Sequence, residues 1–138
     1  MFTIRGIDHV VLRVVDLDRS IRFYQLVLGC DVVKRQAHLG LVHLRAGTCL
    51  IDLISLDGKL GQQGGVGPGQ EGHNVDHFCL RIDPFDEAEL VAHLAGFGIS
   101  PLGPASINFG AEGNGLSLYF RDPDNNLIEL KGPTIPAG

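Results

Sequence analysis

The chain of 138 residues has a formal net charge of −5 and an ordinary globular composition, with 44% hydrophobic and 20% charged residues. It contains no basic run and no apolar stretch near the ~20 residues of a membrane span, so we expect neither nucleic acid nor a membrane as partner. Three cysteines without a CxxC spacing, and an N-terminus unlike a signal peptide, indicate a reducing, cytoplasmic setting.

The first half of the chain is typical of one strand, one helix and three further strands. Residues 5–15 are apolar and β-branched with a period of two, which predicts a strand. Asp16 and Asp18 are suitable N-caps for a helix over residues 18–28, and Gly29 is typical of the position after a helix. Three strands are then predicted at residues 31–36, 40–46 and 48–56.

The second half repeats this order of elements. A strand is predicted over residues 76–82 and a helix over residues 86–95, with Leu90, Val91 and Leu94 facing inward. Three later strands are predicted at residues 99–103, 115–121 and 126–131.

Glycine-rich segments mark the boundaries of these elements. We expect a single domain over residues 1–138, with module one at about 5–57, a linker at about 58–74 and module two at about 75–132. Residues 103–115 are also rich in glycine and predict an irregular loop, which would either close over a site or be merely flexible.

Two short motifs recur in the two halves. The pattern D-H-x-x-L-R occurs at residues 8–13 and again at 76–81. An apolar strand with a central carboxylate occurs at residues 50–53, around Asp52, and at 127–130, around Glu129. The sequence therefore predicts an internal duplication of a strand–helix–three-strand unit.

The duplicated polar residues form a candidate metal-ligand set. His9 and His77 stand at equivalent places on first strands, and Asp52 and Glu129 at equivalent places on last strands. Two imidazoles and one or two carboxylates suit one divalent ion such as Ni, Zn, Co, Mn or Fe. Each residue alone is more often a hydrogen-bonded histidine or a solvated carboxylate, and it is their duplication that favours a shared metal site.

The remaining histidines and one cysteine are weaker candidates for that site. We expect His38, His43, His73 and His93 to be surface residues. Cys79 shares the predicted strand face of His77 and could line a cavity, although the pattern favours a small buried hydrophobic residue.

Two runs of sequence carry a specific family resemblance. Residues 9–29 resemble the opening of bacterial lactoylglutathione lyase, and residues 119–130, with the turn at Asp122–Asn125, resemble the closing hairpin of the same family. The chain is thus similar over residues 5–132 to the vicinal oxygen chelate superfamily. This superfamily includes glyoxalase I, fosfomycin- and bleomycin-resistance proteins and extradiol dioxygenases.

The resemblance implies an α+β fold of two tandem βαβββ modules, whose curled mixed sheets form a metal-binding cavity. It implies that His9, Asp52, His77 and Glu129 hold one divalent ion per site. It also implies a homodimer with sites shared between chains, in which the first two ligands come from one chain and the last two from its partner.

The resemblance also assigns a substrate-binding residue and reveals two departures. Arg13 stands where the glyoxalase I family binds glutathione. Asp52 replaces the usual Glu, so that a three-ligand site of His9, His77 and Glu129 is an alternative. Residues 82–120 contain no Lys or Arg, whereas the family has a basic glutathione-binding residue there.

The function implied is a glyoxalase-like metal-dependent lyase or isomerase acting on a small substrate with vicinal oxygens through an enediolate-type intermediate. Glu129 or Asp52 would move the proton as the catalytic base. Two enzymatic alternatives are an extradiol-type dioxygenase and a fosfomycin-type thiol transferase. The non-enzymatic alternative is a binding module that sequesters a ligand, as bleomycin-resistance proteins do.

Overall fold

The computed structural model describes residues 1–136 and divides the chain into two compact units, with the boundary between Asn74 and Val75. Each unit contains one four-stranded mixed sheet and one α-helix in the order βαβββ. The predicted α+β class and the two tandem modules are confirmed. The sheets are open and uncurled, because in each the two edge strands do not pair with one another.

Module one contains strands β1 to β4 and helix α1. Their bounds are β1 His9–Val14, α1 Leu17–Leu26, β2 Asp31–Gln36, β3 Leu41–Ala46 and β4 Cys49–Ser55. The strand order is β1-β4-β3-β2, with β1 parallel to β4 and the other pairs antiparallel. This order puts the first and last strands of the module side by side, with β1 at the edge of the sheet and β4 inside it.

Helix α1 begins where Asp16 accepts a hydrogen bond from the backbone N–H of Arg19. Its Ile21 and Tyr24 are buried and α1 contacts β4 and β2. Leu12, on the strand face turned toward this core, is fully buried. The opposite face of β1 is the one that carries the candidate site residues, as the period-two pattern predicts.

Module two repeats this arrangement. Its elements are β5 Phe78–Arg81, α2 Glu87–Ala95, β6 Ser106–Gly110, β7 Gly113–Arg121 and β8 Leu127–Thr134. The strand order is β5-β8-β7-β6, again with the first and last strands parallel and adjacent. Asp86 caps α2 by accepting from the backbone N–H of Glu89, as Asp16 caps α1.

Strands β1 and β5 are shorter than predicted. Parallel pairing of β1 with β4 begins with His9 opposite Leu50, so residues 5–8 have no place in the ladder. Similarly, β5 starts at Phe78 opposite Ile128, which leaves His77 just ahead of the strand. Each first strand begins where its parallel pairing with the last strand begins, a point that the apolar pattern does not mark.

The prediction for the first strand after α2 is wrong. Residues 99–103 form a connection in which Pro101 lacks an N–H donor, and the strand lies instead at residues 106–110. The glycine-rich segment 103–115 is therefore not a loop, since most of it is the antiparallel β6–β7 hairpin. Val91 is also not inward, because 38% of it is exposed.

The turn between β7 and β8 is confirmed at the predicted place. The carboxylate of Asp122 accepts hydrogen bonds from the backbone N–H groups of Asp124 and Asn126, and Asn125 adopts the left-handed conformation with φ 67°. These bonds fix the register in which Glu129 lies opposite Tyr119.

The 58–74 segment contains a short 3₁₀ helix at Gly61–Gly64 and ends against β1. The side chain of Asn74 accepts from the backbone N–H of Arg13 and donates to its carbonyl, as a neighbouring strand would. Across residues 1–136, no helix is long and apolar enough to cross a membrane.

Candidate metal centre

In module one, β1 places His9 beside the last strand of the same sheet. Its Nδ1 lies 2.7 Å from Oδ1 of Asp8, and its Nε2 lies 4.0 Å from Oδ2 of Asp52. The hydrogen bond with Asp8, followed by the charge of Asp52, raises the pKa of His9 above its usual value. Asp8 thus occupies Nδ1 and leaves Nε2 directed at the buried carboxylate.

Asp52 is 4% exposed and belongs to a hydrogen-bonded chain across three strands. His43 lies opposite it on β3, with Nδ1 2.8 Å from Oδ1 of Asp52. The amide Nε2 of Gln36 lies 3.0 Å from Nε2 of His43. Because the amide nitrogen is a donor, Nε2 of His43 accepts from it and Nδ1–H donates to Asp52. One oxygen of Asp52 is thereby occupied and the other is turned toward His9.

Module two repeats the pair with a shorter separation. His77 has Nδ1 2.6 Å from Oδ2 of Asp76 and Nε2 3.3 Å from Oε1 of Glu129. The ring of Tyr119 meets that of His77 edge-on, with 6.0 Å between centroids. In each module, then, the aspartate before the histidine binds Nδ1 and a carboxylate of the last strand faces Nε2.

Glu129 is 5% exposed and is held by hydroxyl groups. Ser117 Oγ donates to Oε2 of Glu129 at 2.5 Å. Burial raises the pKa of Glu129, but hydrogen bonds from Ser117 and Tyr119 and the nearby His77 outweigh it, and the net pKa is lowered. Burial and the bond to Glu129 in turn raise the pKa of Tyr119 to about 12, so the phenol stays protonated as a donor. Glu129 is therefore an ionised carboxylate at neutral pH.

These pairs suit a divalent cation on chemical grounds. Asp76 accepts a hydrogen bond from Nδ1–H of His77, which leaves a lone pair on Nε2. This lone pair faces Oε1 of Glu129 at 3.3 Å. Because both atoms are acceptors, a proton or a cation is needed between them. Ligands about 2.1 Å from one ion lie roughly 3.0–3.4 Å apart, which matches this separation. An outer carboxylate on Nδ1 is also the usual support of a metal-binding histidine.

Each module contains one histidine–carboxylate pair. The structure places His9 near Asp52 and His77 near Glu129. Within residues 1–136, no group of three or more His, Cys, Asp or Glu side chains is arranged to hold a metal ion. A four-coordinate site needs donors beyond either pair.

Arg13, the predicted substrate-binding residue, contacts the glycine-rich segment that follows β4. Its guanidinium donates to the carbonyl oxygens of Gly61, Gly65 and Val66. A Cβ on Gly64 would lie 2.4 Å from the guanidinium carbon, so a larger residue there would displace the end of the Arg13 side chain. Arg13 also lines a cavity of about 720 Å³ with residues 66–74.

Module two has a second cavity of about 280 Å³ over the candidate pair. Its lining includes His77, Cys79, Arg81, Glu129 and Lys131. Cys79 is therefore not the buried hydrophobic residue that the pattern favoured. This cavity gives a small molecule direct access to the His77–Glu129 pair.

The sequence analysis missed the supporting residues. The interpretation of His43 as a surface residue is wrong, since its side chain is 17% exposed and binds Asp52. Its signal was the hairpin at Gly47, which sets His43 opposite Asp52. Asp8 and Asp76 were visible in the repeated D-H motif but had no assigned role.

Three histidines behave as expected. His38, His73 and His93 are exposed, and they belong to neither carboxylate pair. His93 contacts the ring of Phe97 on helix α2's C-terminal side. None of these three belongs to the candidate centre.

The chain is similar to known proteins over most of its length. The chain is 37% identical over 128 residues to the glyoxalase domain-containing protein RDO1 of Mycosarcoma maydis, covering 93% of this chain and 68% of that protein. It is 32% identical over 126 residues to the virulence protein STM3117 of Salmonella typhimurium, covering 90% of this chain and 81% of that protein. The crystal structure of STM3117 matches with a TM-score of 0.79, over 97% of this chain and 100% of the other.

A more distant structure shares the fold. The fosfomycin resistance protein FosX of Listeria monocytogenes, complexed with Mn(II) and sulfate, matches with a TM-score of 0.70 at 21% identity, covering 96% of this chain and 94% of that one. The family model of the Glyoxalase/Bleomycin resistance protein/Dioxygenase superfamily matches residues 6–130. On its two βαβββ modules and this match, the chain belongs to the Glyoxalase/Bleomycin resistance protein/Dioxygenase superfamily.

Proposed function

We propose that this protein is a metal-dependent lyase or isomerase of the glyoxalase I type, acting on a small substrate with two adjacent oxygens. The observation that carries the proposal is the repeated pair of an aspartate-anchored imidazole and a buried carboxylate, one in each module. Each carboxylate has a donor of its own and still turns one oxygen toward an imidazole Nε2, and a cation between that oxygen and that nitrogen would satisfy both.

The complete centre would hold one divalent ion, Ni, Zn, Co, Mn or Fe. We propose a homodimer in which His9 and Asp52 of one chain and the partner's His77 and Glu129 are the ligands. Two observations support a site shared between chains. Each module presents two donors, and no larger donor group occurs within residues 1–136. FosX, which shares the fold, is a protein that binds Mn(II).

The bound ion would supply Lewis acidity toward the two substrate oxygens, favouring an enediolate-type course for the reaction. Glu129 would take the proton from the substrate carbon and return it to the neighbouring carbon. Its carboxylate is ionised, and Ser117 and Tyr119 hold it in place. Asp52 is the weaker candidate base, because Glu129 and not Asp52 lines the cavity of about 280 Å³.

Arg13 is proposed to contact an anionic part of a larger substrate from the cavity formed with residues 66–74. Three backbone carbonyls orient its guanidinium, and its Nε lies buried without a hydrogen-bond partner among residues 1–136. This residue would act in binding rather than in the proton transfer.

The proposed reaction is tested by turnover of methylglyoxal with glutathione by metal-loaded protein. Glu129→Gln keeps the shape of the side chain but removes the base, so we expect a loss of at least ~100-fold in kcat. Glu89→Gln, on the exposed surface of α2, is the matched control and should keep wild-type activity. An active Glu129→Gln variant, or no turnover by wild-type protein above background, contradicts this reaction.

Sharing of the site between chains is tested by mixing two inactive variants. After subunit exchange between His9→Ala and His77→Ala proteins, mixed dimers would carry one centre with all four ligands and one with neither histidine. We expect about a quarter of wild-type metal content and activity, because about half of the dimers are mixed. No recovery despite verified exchange contradicts a shared site.

Thiol addition to fosfomycin is the second candidate, favoured by the fold shared with FosX and by the basic side chains beside the His77–Glu129 pair. Its test is growth of a sensitive bacterial host in fosfomycin, with wild-type protein or Glu129→Gln. Protection by the wild type alone would support this reaction, and equal sensitivity of both cultures would contradict it.

A further inference from the structure

The cavity of about 280 Å³ in module two contains a second polar group beside the His77–Glu129 pair. Its lining includes Arg81 from β5 and Lys131 from β8. Lys131 is two residues beyond Glu129 on the same strand, so both side chains project from the same face, roughly 7 Å apart along the strand. One small molecule in this cavity would reach both groups.

Two cations stand side by side on this face. In the parallel pairing of β5 with β8, Arg81 is the direct partner of Lys131. Like charges in adjacent positions of a sheet repel each other and are destabilising. Arg81 has a compensating ion pair with Glu112, but Lys131 does not share it.

The ammonium group of Lys131 has no counterion in the described structure. Over residues 1–136, its Nζ makes neither an ion pair nor a hydrogen bond, although the residue is 7% exposed. Among the described residues, only Arg13 has a side-chain polar atom that is fully buried without a partner, so Nζ of Lys131 remains accessible. An oxyanion placed in the cavity would supply the missing counterion through a charge-assisted hydrogen bond.

Glycines make room for this side chain. A Cβ at Gly110 would lie 2.5 Å from Cε of Lys131, and a Cβ at Gly115 would lie 2.8 Å from its Nζ. Both glycines belong to the β6–β7 hairpin, where the sequence predicted an irregular loop. The hairpin thus accommodates an extended lysine along the cavity rather than closing over it.

We propose that Lys131, with Arg81 beside it, is an oxyanion-binding subsite that selects small substrates carrying a carboxylate, phosphonate or phosphate group. The proposal rests on the proposed function, since the subsite would hold the anionic end of a substrate whose reacting oxygens lie at the His77–Glu129 pair. The cavity volume restricts the substrate to a small molecule. Lys131 is in this view a specificity-determining residue and not a base.

The test uses chelator-treated full-length protein titrated separately with inorganic phosphate and with acetate, followed by backbone NMR shifts. Wild-type protein should show saturable shifts on β5 and β8. Lys131→Met removes the charge at similar length and should weaken binding at least ~10-fold, whereas Lys131→Arg should stay within about 3-fold of wild type. Lys34→Met, at an exposed lysine on β2, is the matched control and should bind like wild type.

A second variant tests the same subsite without altering the lysine. Gly110→Ala would displace the end of the Lys131 side chain, so it should also weaken anion binding while the fold is retained. Preference for phosphate or for acetate in the wild type would show which oxyanion the subsite serves.

Wild-type affinity in Lys131→Met, or no saturable binding of either anion by wild-type protein, overturns the proposal. Metal content is measured in parallel and should be equal in wild type and Lys131→Met. If wild-type protein takes up no metal but its anion binding depends on Lys131, the subsite stands and the proposed enzymatic function falls.

Discussion

The carboxylates of the two modules are held by different chemistry. In module one an imidazole, His43, binds Asp52, while in module two the hydroxyl groups of Ser117 and Tyr119 bind Glu129. The gap from carboxylate to histidine is 4.0 Å in the first pair and 3.3 Å in the second. Both modules have a histidine and a carboxylate at these positions, while the neighbouring strand, β3 or β7, provides the group that binds each carboxylate.

This difference suits the two carboxylates to different roles. Asp52, fixed by the imidazole of His43, has a rigid position, which suits a ligand or a positioning group. Glu129 lines the 280 Å³ cavity and can reach a molecule bound there, which suits a base.

The largest effect should follow loss of either histidine. We expect His77→Ala and His9→Ala each to weaken metal binding by more than ~100-fold, because the proposed centre needs donors from both modules. Metal content after dialysis, measured by elemental analysis, checks this. His93→Ala is the control on exposed helix surface. If His9→Ala retains its metal while His77→Ala loses it, the His9–Asp52 pair, with 4.0 Å between Nε2 and Oδ2, is not part of the centre.

A smaller loss should follow removal of the supporting aspartates. Asp76→Asn and Asp8→Asn weaken the hydrogen bond to Nδ1 but keep the side-chain shape, so metal affinity should fall by about 10–100-fold. Competition with a chromophoric chelator measures both affinities. Unchanged affinity in the two variants would mean that the repeated D-H motif has no role in orienting the imidazoles.

In module one, His43→Leu should destabilise the metal-free protein. It leaves buried Asp52 without its donor, which costs about 1–3 kcal/mol. Urea unfolding near neutral pH measures the change. His38→Leu, at an exposed histidine of the same module, should change stability little. Equal effects in the two variants would contradict the assignment of His43 as the group that holds Asp52.

The smallest effect, in module two, should depend on pH. A lowered pKa means that ionised Glu129 stabilises the fold above its ordinary pKa of 4.5, and that this contribution is lost as pH falls through the lower folded value. Ser117→Ala should therefore lower the free energy of unfolding of the metal-free protein by about 1 kcal/mol at neutral pH, and this loss should become smaller in acid.

Urea unfolding of wild type and Ser117→Ala between neutral and acidic pH provides the measurement. Ser106→Ala, at an exposed serine on β6, is a control whose effect should not follow this pH trend. A Ser117→Ala penalty that grows as the pH falls would reverse the sign expected from the Ser117–Glu129 bond.

Much of the candidate centre was predictable because the chain contains it twice. The D-H-x-x-L-R motifs and the strands around Asp52 and Glu129 pointed to the four candidate residues, while their grouping in pairs came from the family resemblance. The structure places His9 near Asp52 and His77 near Glu129. Strand alternation also predicted the buried face of β1. Strand ends were less predictable: residues 99–103 have an apolar pattern, but Pro101 and the register of β7 move the strand to residues 106–110.

The roles of His43 and Lys131 were not predictable from local pattern. His43 reaches Asp52 because β3 is antiparallel to β4 with those two residues in register. Lys131 adjoins Arg81 because β8 and β5, some fifty residues apart in sequence, are parallel neighbours. A one-residue change in either register would turn these side chains to the opposite face of the sheet.

The sequence by itself determined the duplicated α+β modules and the identity of the His and carboxylate residues, since side-chain periodicity and a repeated motif are local properties of the chain. Tertiary structure alone decided that Asp52 is held by an imidazole, that Glu129 is held by hydroxyl groups, and that a lysine without a counterion lies beside Glu129. Those contacts depend on strand order and register, which set the few ångströms over which hydrogen bonds and charges act.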